Sequence, residues 1–306
     1  MSLEEKTKKL IIDEAQIQNY FAQRDNDEHL KIKSPDNYYD EVVKYFSGEL
    51  HEGATLPFEK MVDNWRLRPS ELTIVSGWSG HGKSMLLNYI MLHLLRNDYK
   101  CLVASFEMSV KATLGRFIRQ SIGGDNPSEE VIQKFLTNTS GKLFLYDQQG
   151  TTSPDSIMSV VYYAAQELGI NFIVVDSLMK IGINEDDYNL QKQFTDRLAV
   201  ACRDLGIHIF LVAHSRKGDE FSGAPKKHDV SGSTHVTNLA DNVISVYRNK
   251  DKSSKLEAGK MSAEEARITP DAYMSVVKQR HFEYEGSIGL YYEPSSLRYY
   301  ERPLGR

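Results

Sequence analysis

Cysteine is scarce in this chain. Its 306 residues include only two, Cys101 and Cys202, far apart and each inside an apolar periodic segment. No CxxC pair exists, which argues against a zinc ribbon, and the pair reads as free buried thiols of a reducing compartment. The nine histidines show no metal-like spacing. A basic surplus is missing too: 37 Lys and Arg stand against 42 Asp and Glu, a net charge of −5. That excludes a whole-surface basic coat for nucleic acid but not a local basic lining. No apolar run approaches membrane-spanning length. The opening MSLEEKTKKL has no signal-peptide core and carries early acids, against a transit peptide. Internal repeats and low-complexity tracts are absent. A soluble cytoplasmic protein is expected.

Hydrophobic residues make up 41% of the chain, enough for a full core. The length suits one large α/β domain with an appendage, or two small domains. In residues 5–25, Leu10, Ile17, Tyr20 and Phe21 recur at helical spacing. The polar stretch RDNDEHLKIKSPDN follows as a linker. This greasy helix either folds back on its own core or docks on a neighbouring subunit. Residues 1–33 are thus set apart from a domain over 34–306, which opens with a second helix at 36–47. Strand and helix then alternate. ELTIVSG, KCLVASFEM, KLFLYD, NFIVVDS and IHIFLVAHS read as strands, and 83–95, 110–121, 128–138, 153–168 and 188–205 as helices. The last strand is apolar on both faces, as a central parallel strand should be. The end, from AYMSVV to LRYYE, reads as antiparallel edge strands. The alternation predicts a mainly parallel sheet with helices on both faces. Residues 215–230 and 250–270, polar and charged, read as loops.

One stretch is built to hold a phosphate chain. In SGWSGHGKSM, residues Gly77, Gly82, Lys83 and Ser84 fit G-x-x-x-x-G-K-[ST] between a strand and a helix. The loop Gly77, Trp78, Ser79, Gly80, His81, Gly82 and the helix start Lys83, Ser84, Met85 would turn backbone N–H groups inward. Lys83 would reach the β and γ phosphates and Ser84 would hold Mg²⁺. Trp78 is either a lid on the phosphates or a packing residue, with packing favoured.

Three more side chains sit at strand ends. Asp176 closes FIVVDS and can face a Ser84-bound metal; the plainer alternative is a helix cap. Glu107, in ASFEMS, can polarise an attacking water, or is a solvated loop acid. His214 ends IFLVAHS, where it could touch a γ-phosphate, or is a merely satisfied histidine.

The ordered set GWSGHGKS, ASFEMS, FIVVDS, FLVAHSRK, DVSGSTHVTNLADNVISVYR and VVKQRHFEYEG resembles the helicase domain of the hexameric replicative helicases, the DnaB, Twinkle and phage primase-helicase group. The resemblance runs from about residue 50 to 300, and SFEMS and KQR are more specific than the phosphate loop. It implies a RecA-like core, assembly into a ring, most simply a hexamer, and translocation on single-stranded DNA driven by ATP or another NTP with Mg²⁺. It makes Glu107 the catalytic base, Asp176 the second metal acid and His214 the γ-phosphate sensor. Arg280, with Lys278, falls at the family's arginine finger, acting in trans on the next subunit's site. Arg248 matches a clamp on the nucleotide base, and Tyr292 or the adjacent Tyr291 a stacking partner. The N-terminal helix falls where the family has a subunit-packing linker. A bacterial or phage-infected cell is the expected setting, with a separate primase or loader as a possible partner.

The loop after His214 carries Arg216, Lys217, Lys226, Lys227 and His228. From composition alone it reads as a solvated surface loop; in the family such loops line the central channel, where lysines suit sequence-neutral grip on DNA. No primase domain is expected within these residues, and Ser231 and Thr237 stand where phage relatives carry arginines. Arg280 has a plain alternative, a surface pair with Glu283 or Glu285. Two rival classes are a recombinase-like or clock-type RecA-fold ATPase and a nucleotide-gated assembly module without motor activity.

Overall fold

The structure is a computed structural model that describes residues 33–47, 53–184, 187–215, 234–281 and 283–303. The expected N-terminal helix with Leu10, Ile17, Tyr20 and Phe21 lies outside these residues. So does the basic loop with Arg216, Lys217, Lys226, Lys227 and His228.

Nine strands form one sheet: β1 Leu72–Ser76, β2 Cys101–Ser105, β3 Leu143–Leu145, β4 Phe172–Asp176, β5 His208–Val212, β6 Asn242–Arg248, β7 Ala272–Lys278, β8 Gly286–Glu293 and β9 Arg298–Tyr300, in the order β3-β2-β4-β5-β1-β6-β7-β8-β9. The pairs from β3 to β6 are parallel, and β6–β7, β7–β8 and β8–β9 are antiparallel. The helices are α1 Tyr39–Phe46, α2 Lys83–Arg96, α3 Val110–Ile122, α4 Glu129–Thr139, α5 Pro154–Leu168, α6 Tyr188–Leu205, α7 Thr234–Leu239, α8 Lys250–Glu257 and α9 Ala263–Ile268.

The strand period of two splits the core between the two faces. Ile209 and Leu211 of β5, with Ile173 and Val175 of β4, pack against Ile157 and Val161 of α5 and Leu198 of α6. Their neighbours Phe210, Val212, Phe172 and Val174 face Leu87 and Ile90 of α2 and Phe117 of α3. Burying each such side chain contributes roughly 1.5–3 kcal/mol. Both cysteines are free and buried in these two layers. The approach to β1 adds Phe58, Met61 and Trp65, all fully buried. Helix α1, by contrast, exposes Tyr39, Val42, Val43 and Phe46.

Residues 250–270 correct the sequence reading. They hold α8 and α9 rather than a loop. Asn249 caps α8 by accepting from the Lys252 N–H, and Ser262 with Glu265 closes a reciprocal capping box on α9.

Candidate functional site

Strand β1 runs straight into the phosphate loop, and α2 starts at its end. Gly77 has φ 150°, and a Cβ there would meet the Val246 carbonyl oxygen at 2.3 Å, so the loop leaves the sheet only with glycine. Gly82, at φ 90°, caps α2 in the left-handed region. The buried His81 accepts the Arg248 backbone N–H on Nδ1 at 3.1 Å, tying the loop to β6. The Trp78 indole is buried at 6% exposure and does not line the cavity. It packs inward instead of covering the phosphates.

The cavity beside the loop has a volume of about 610 Å³. Ser79, Gly80, His81, Gly82, Lys83, Ser84 and Met85 form one wall, Glu107, Asp176 and His214 another. Lys83 Nζ donates to the Gly77 and Trp78 carbonyls at 2.9 Å each. Burial pushes its amine down to about 8, against the pull of Asp176 and Glu107. Ser84 Oγ donates to Asp176 Oδ2 at 2.5 Å. Burial pushes the Asp176 carboxyl up, and the Ser84 bond holds it back.

Glu107 follows β2 and is half exposed to the cavity. Its Oε1 lies 3.7 Å from His214 Nε2 and accepts a long 3.4 Å bond from Ser177 Oγ. His214 Nδ1 lies 3.5 Å from Lys83 Nζ, so His214 bridges the amine and the carboxylate. The open end of the cavity carries Arg248 and Tyr292. Tyr292 packs against Tyr299, with ring centroids 5.2 Å apart. Tyr291 points elsewhere and donates its hydroxyl to the Ile268 carbonyl, so Tyr292 alone of the two faces this space.

Arg280 and Lys278 are not in this cavity. Arg280 Nε pairs with Asp241 Oδ1 at 3.3 Å, not with Glu283 or Glu285. Asp241 in turn holds the Leu72 N–H at the start of β1. The phosphate loop leaves the other end of that strand, about 13 Å away at the usual rise per residue. Lys278 Nζ donates to the carbonyls of Thr237, Asn238 and Ala240, closing the C-terminus of α7.

Several cavity residues carry no sequence signal: Arg116 on α3, Ser253 on α8, Asp271 and Ala272 at β7, and Tyr299 on β9. They come from elements far apart in the chain, which only the sheet order brings to one edge.

The donor set suits a hard cation. A serine hydroxyl and a buried carboxylate stand side by side, the oxygen ligands of a Mg²⁺ that keeps water and phosphate in its other positions. Among the described residues no group of three or more His, Cys, Asp or Glu side chains is arranged to hold a metal, as a site completed by phosphate oxygens would require.

Residues 50–220 match a family model described as an AAA domain. The chain is 23% identical over 239 residues to the Twinkle homolog protein, chloroplastic/mitochondrial, of Arabidopsis thaliana. That match covers 71% of this chain and 34% of the relative, so the chain spans about a third of that relative's length. Among solved structures, an ATPase domain determined on its own superposes with a TM-score of 0.70 at 16% identity, over 90% of this chain and 100% of that one. A DnaB-like replicative helicase, solved for its interactions with primase, gives 0.68 at 16% identity, over 88% and 67%. These likenesses carry the RecA-like helicase ATPase fold. Among the described residues no helix is long and apolar enough to cross a membrane.

Proposed function

The chain belongs to the AAA domain family, and we propose that it is the motor domain of a ring-shaped replicative helicase that hydrolyses ATP or another NTP to move along single-stranded DNA. The observation that carries this reading is the division of labour across the sheet. Lys83, Ser84, Asp176, Glu107 and His214 converge on one cavity. Arg280 stands at the far end of β1, half exposed and out of reach of its own cavity. A site with a complete cis half and a guanidinium facing away is what a subunit needs if its neighbour completes it.

Lys83 then leaves the loop carbonyls to hold the β and γ phosphates. Ser84 and Asp176 would hold Mg²⁺, which when bound neutralises phosphate charge. Glu107 orients water and accepts its proton, and His214, between Glu107 and Lys83, senses whether the γ-phosphate is present. Arg248 and Tyr292 take the base. Arg280 of the adjacent subunit supplies the charge that stabilises the transferring phosphoryl group. Arg216, Lys217, Lys226 and Lys227 line the channel of a hexameric ring, and residues 1–33 pack on the neighbouring subunit. A separate primase or loader is the fitting partner.

The test is unwinding. The protein should hydrolyse nucleotide faster with single-stranded DNA and open a forked duplex. Hydrolysis indifferent to DNA, with no unwinding by nucleotide-loaded rings, would overturn the motor reading and leave a nucleotide-gated module.

A further inference from the structure

Three arginines cluster where α3 meets the C-terminal strands, and two are satisfied by protein. Arg119 donates to the Pro294 and Ser295 carbonyls, and Arg298 to the Gln120 and Ser121 carbonyls. The third, Arg116, forms no hydrogen bond or ion pair with any described residue. Yet it is half-buried and lines the phosphate-loop cavity. A desolvated guanidinium without a protein counter-charge is expensive unless something else supplies one.

Its placement is not accidental. Gln120, one turn further along the same face of α3, is fully buried and donates to the carbonyls of Met85 and Leu297. Met85 lies in the first turn of α2, where the phosphate chain meets the helix. Thr113, on the same face one turn earlier, is buried as well. Helix α3 is therefore stapled to α2 and to the C-terminal strands, and the staple aims Arg116 into the cavity. The groups that act on its charge are Tyr292 and Tyr299 on the base side and Asp176 on the metal side. Arg116 stands between these ends.

We propose that Arg116 is a nucleotide-binding residue acting in cis, its guanidinium pairing with the α-phosphate of a bound nucleoside di- or triphosphate. This rests on the nucleotide-site reading given above. Between the terminal phosphates, claimed by Lys83 and the metal, and the base, claimed by Arg248 and Tyr292, the remaining anion is the α-phosphate. The ribose beside it is neutral and gives a cation little to bind. A planar fork fits a phosphate's oxygens bidentately, which Lys does not.

The test is equilibrium binding of the fluorescent mant derivatives of ADP and of a non-hydrolysable ATP analogue to the full chain. Arg116→Ala should raise both dissociation constants by about tenfold or more, the usual scale of a lost charge-assisted bond. The two ligands should lose alike, since they share the α-phosphate. The loss should persist in EDTA, because the contact does not run through the metal. Arg116→Lys should recover part of the affinity, and it is the variant to use if Arg116→Ala melts early. Affinity within twofold of wild type in a folded Arg116→Ala protein overturns the proposal, as does a loss confined to the triphosphate. Lys83→Ala, measured alongside, keeps the two readings apart. If it too binds normally, the nucleotide site itself is wrongly assigned; if it alone loses binding, the site stands and Arg116 falls.

Discussion

At the C-terminal ends of β1, β2, β4 and β5, Lys83, Glu107, Asp176 and His214 face a cavity. At the opposite ends of β1, β5 and β6, polar side chains are nearly as numerous but closed among protein partners. His208 is fully buried; burial pushes its imidazole down to about 4, so it is neutral. Its Nδ1–H donates to the Arg68 carbonyl, and its Nε2 accepts from the Thr73 hydroxyl. Asn242 donates to Glu71 and Thr73. The same sheet thus has one end whose charges await a ligand and one whose charges are spent on each other. Being polar and near a strand end does not mark a functional residue. Facing open space without a full set of protein partners does. Arg280 straddles the two classes, paired with Asp241 yet half exposed.

The comparison breaks most sharply at Arg280. If the far end of the sheet is structural only, Arg280→Ala should lower stability and leave turnover per folded ring unchanged. The expected result is the reverse: assembly and nucleotide binding persist, and hydrolysis falls by about 10³–10⁵. Rings mixed from Arg280→Ala and Glu107→Gln should recover some phosphate release, because one interface in the mixture pairs an intact base with an intact arginine. At the cavity end, Glu107→Gln alone should bind mant-ADP normally and hydrolyse about 10²–10⁴ times more slowly. Near-normal turnover would remove Glu107 from the base role.

How much of the molecule is legible in its sequence follows the same division. The parallel strands stand out as apolar runs ending in Ser76, Asp176 and His214, because a strand buried on both faces has no polar positions to spare. The phosphate loop is legible because its glycines answer to local geometry. Strand β6 escapes the sequence reading, although its sequence NVISVYR is buried up to Arg248. Helices α8 and α9 escape it because a charged stretch reads as a loop. Helix α8 buries no residue, so it lacks an apolar stripe, and only its caps could betray it. Arg116, Asp271 and Tyr299 are beyond reach, since their common cavity depends on the order of the sheet and not on any spacing in the chain. The pairing of Arg280 with Asp241 is equally hidden, being set by β6–β7 register.

Acid–base behaviour sharpens the contrast from the cavity side. Lys83 must be protonated to meet a phosphate, and burial has pushed it down from 10.5 to about 8. Its charged fraction in the free protein is nearly full at pH 7 and falls as pH rises through about 8. A bound phosphate favours the charged form, so binding takes up a proton above that pH. The dissociation constant for ADP should therefore be flat near pH 7 and about 30-fold higher at pH 9.5. Calorimetry in buffers of different ionisation heat should show the matching proton uptake. A flat affinity across this range would mean that Lys83 does not carry the interaction.

From the other end the effect is smaller and appears in stability. Glu71 is 3% exposed, faces Arg68, Asn242, His281 and Asp241, and is pushed by burial from 4.5 up to about 6. The sign follows from proton counting. Between about 4.5 and 6 the folded chain holds a proton on Glu71 that the unfolded chain has released, so stability falls as pH rises through that window and then levels off. Above it the ionised carboxylate costs about 2 kcal/mol relative to a neutral group, as an upper figure. Glu71→Gln keeps an oxygen for the Asn242 amide and removes the charge. It should melt higher than wild type at pH 7.5, by about 2–4 °C for each kcal/mol recovered. The gap should narrow as pH falls toward 5. Thermal melts of both proteins at pH 5.0, 6.0 and 7.5 decide it. A variant less stable than wild type at pH 7.5 would mean that the ion pairs with Arg68 and His281 outweigh burial, and that this end of the sheet, like the cavity, depends on its charges.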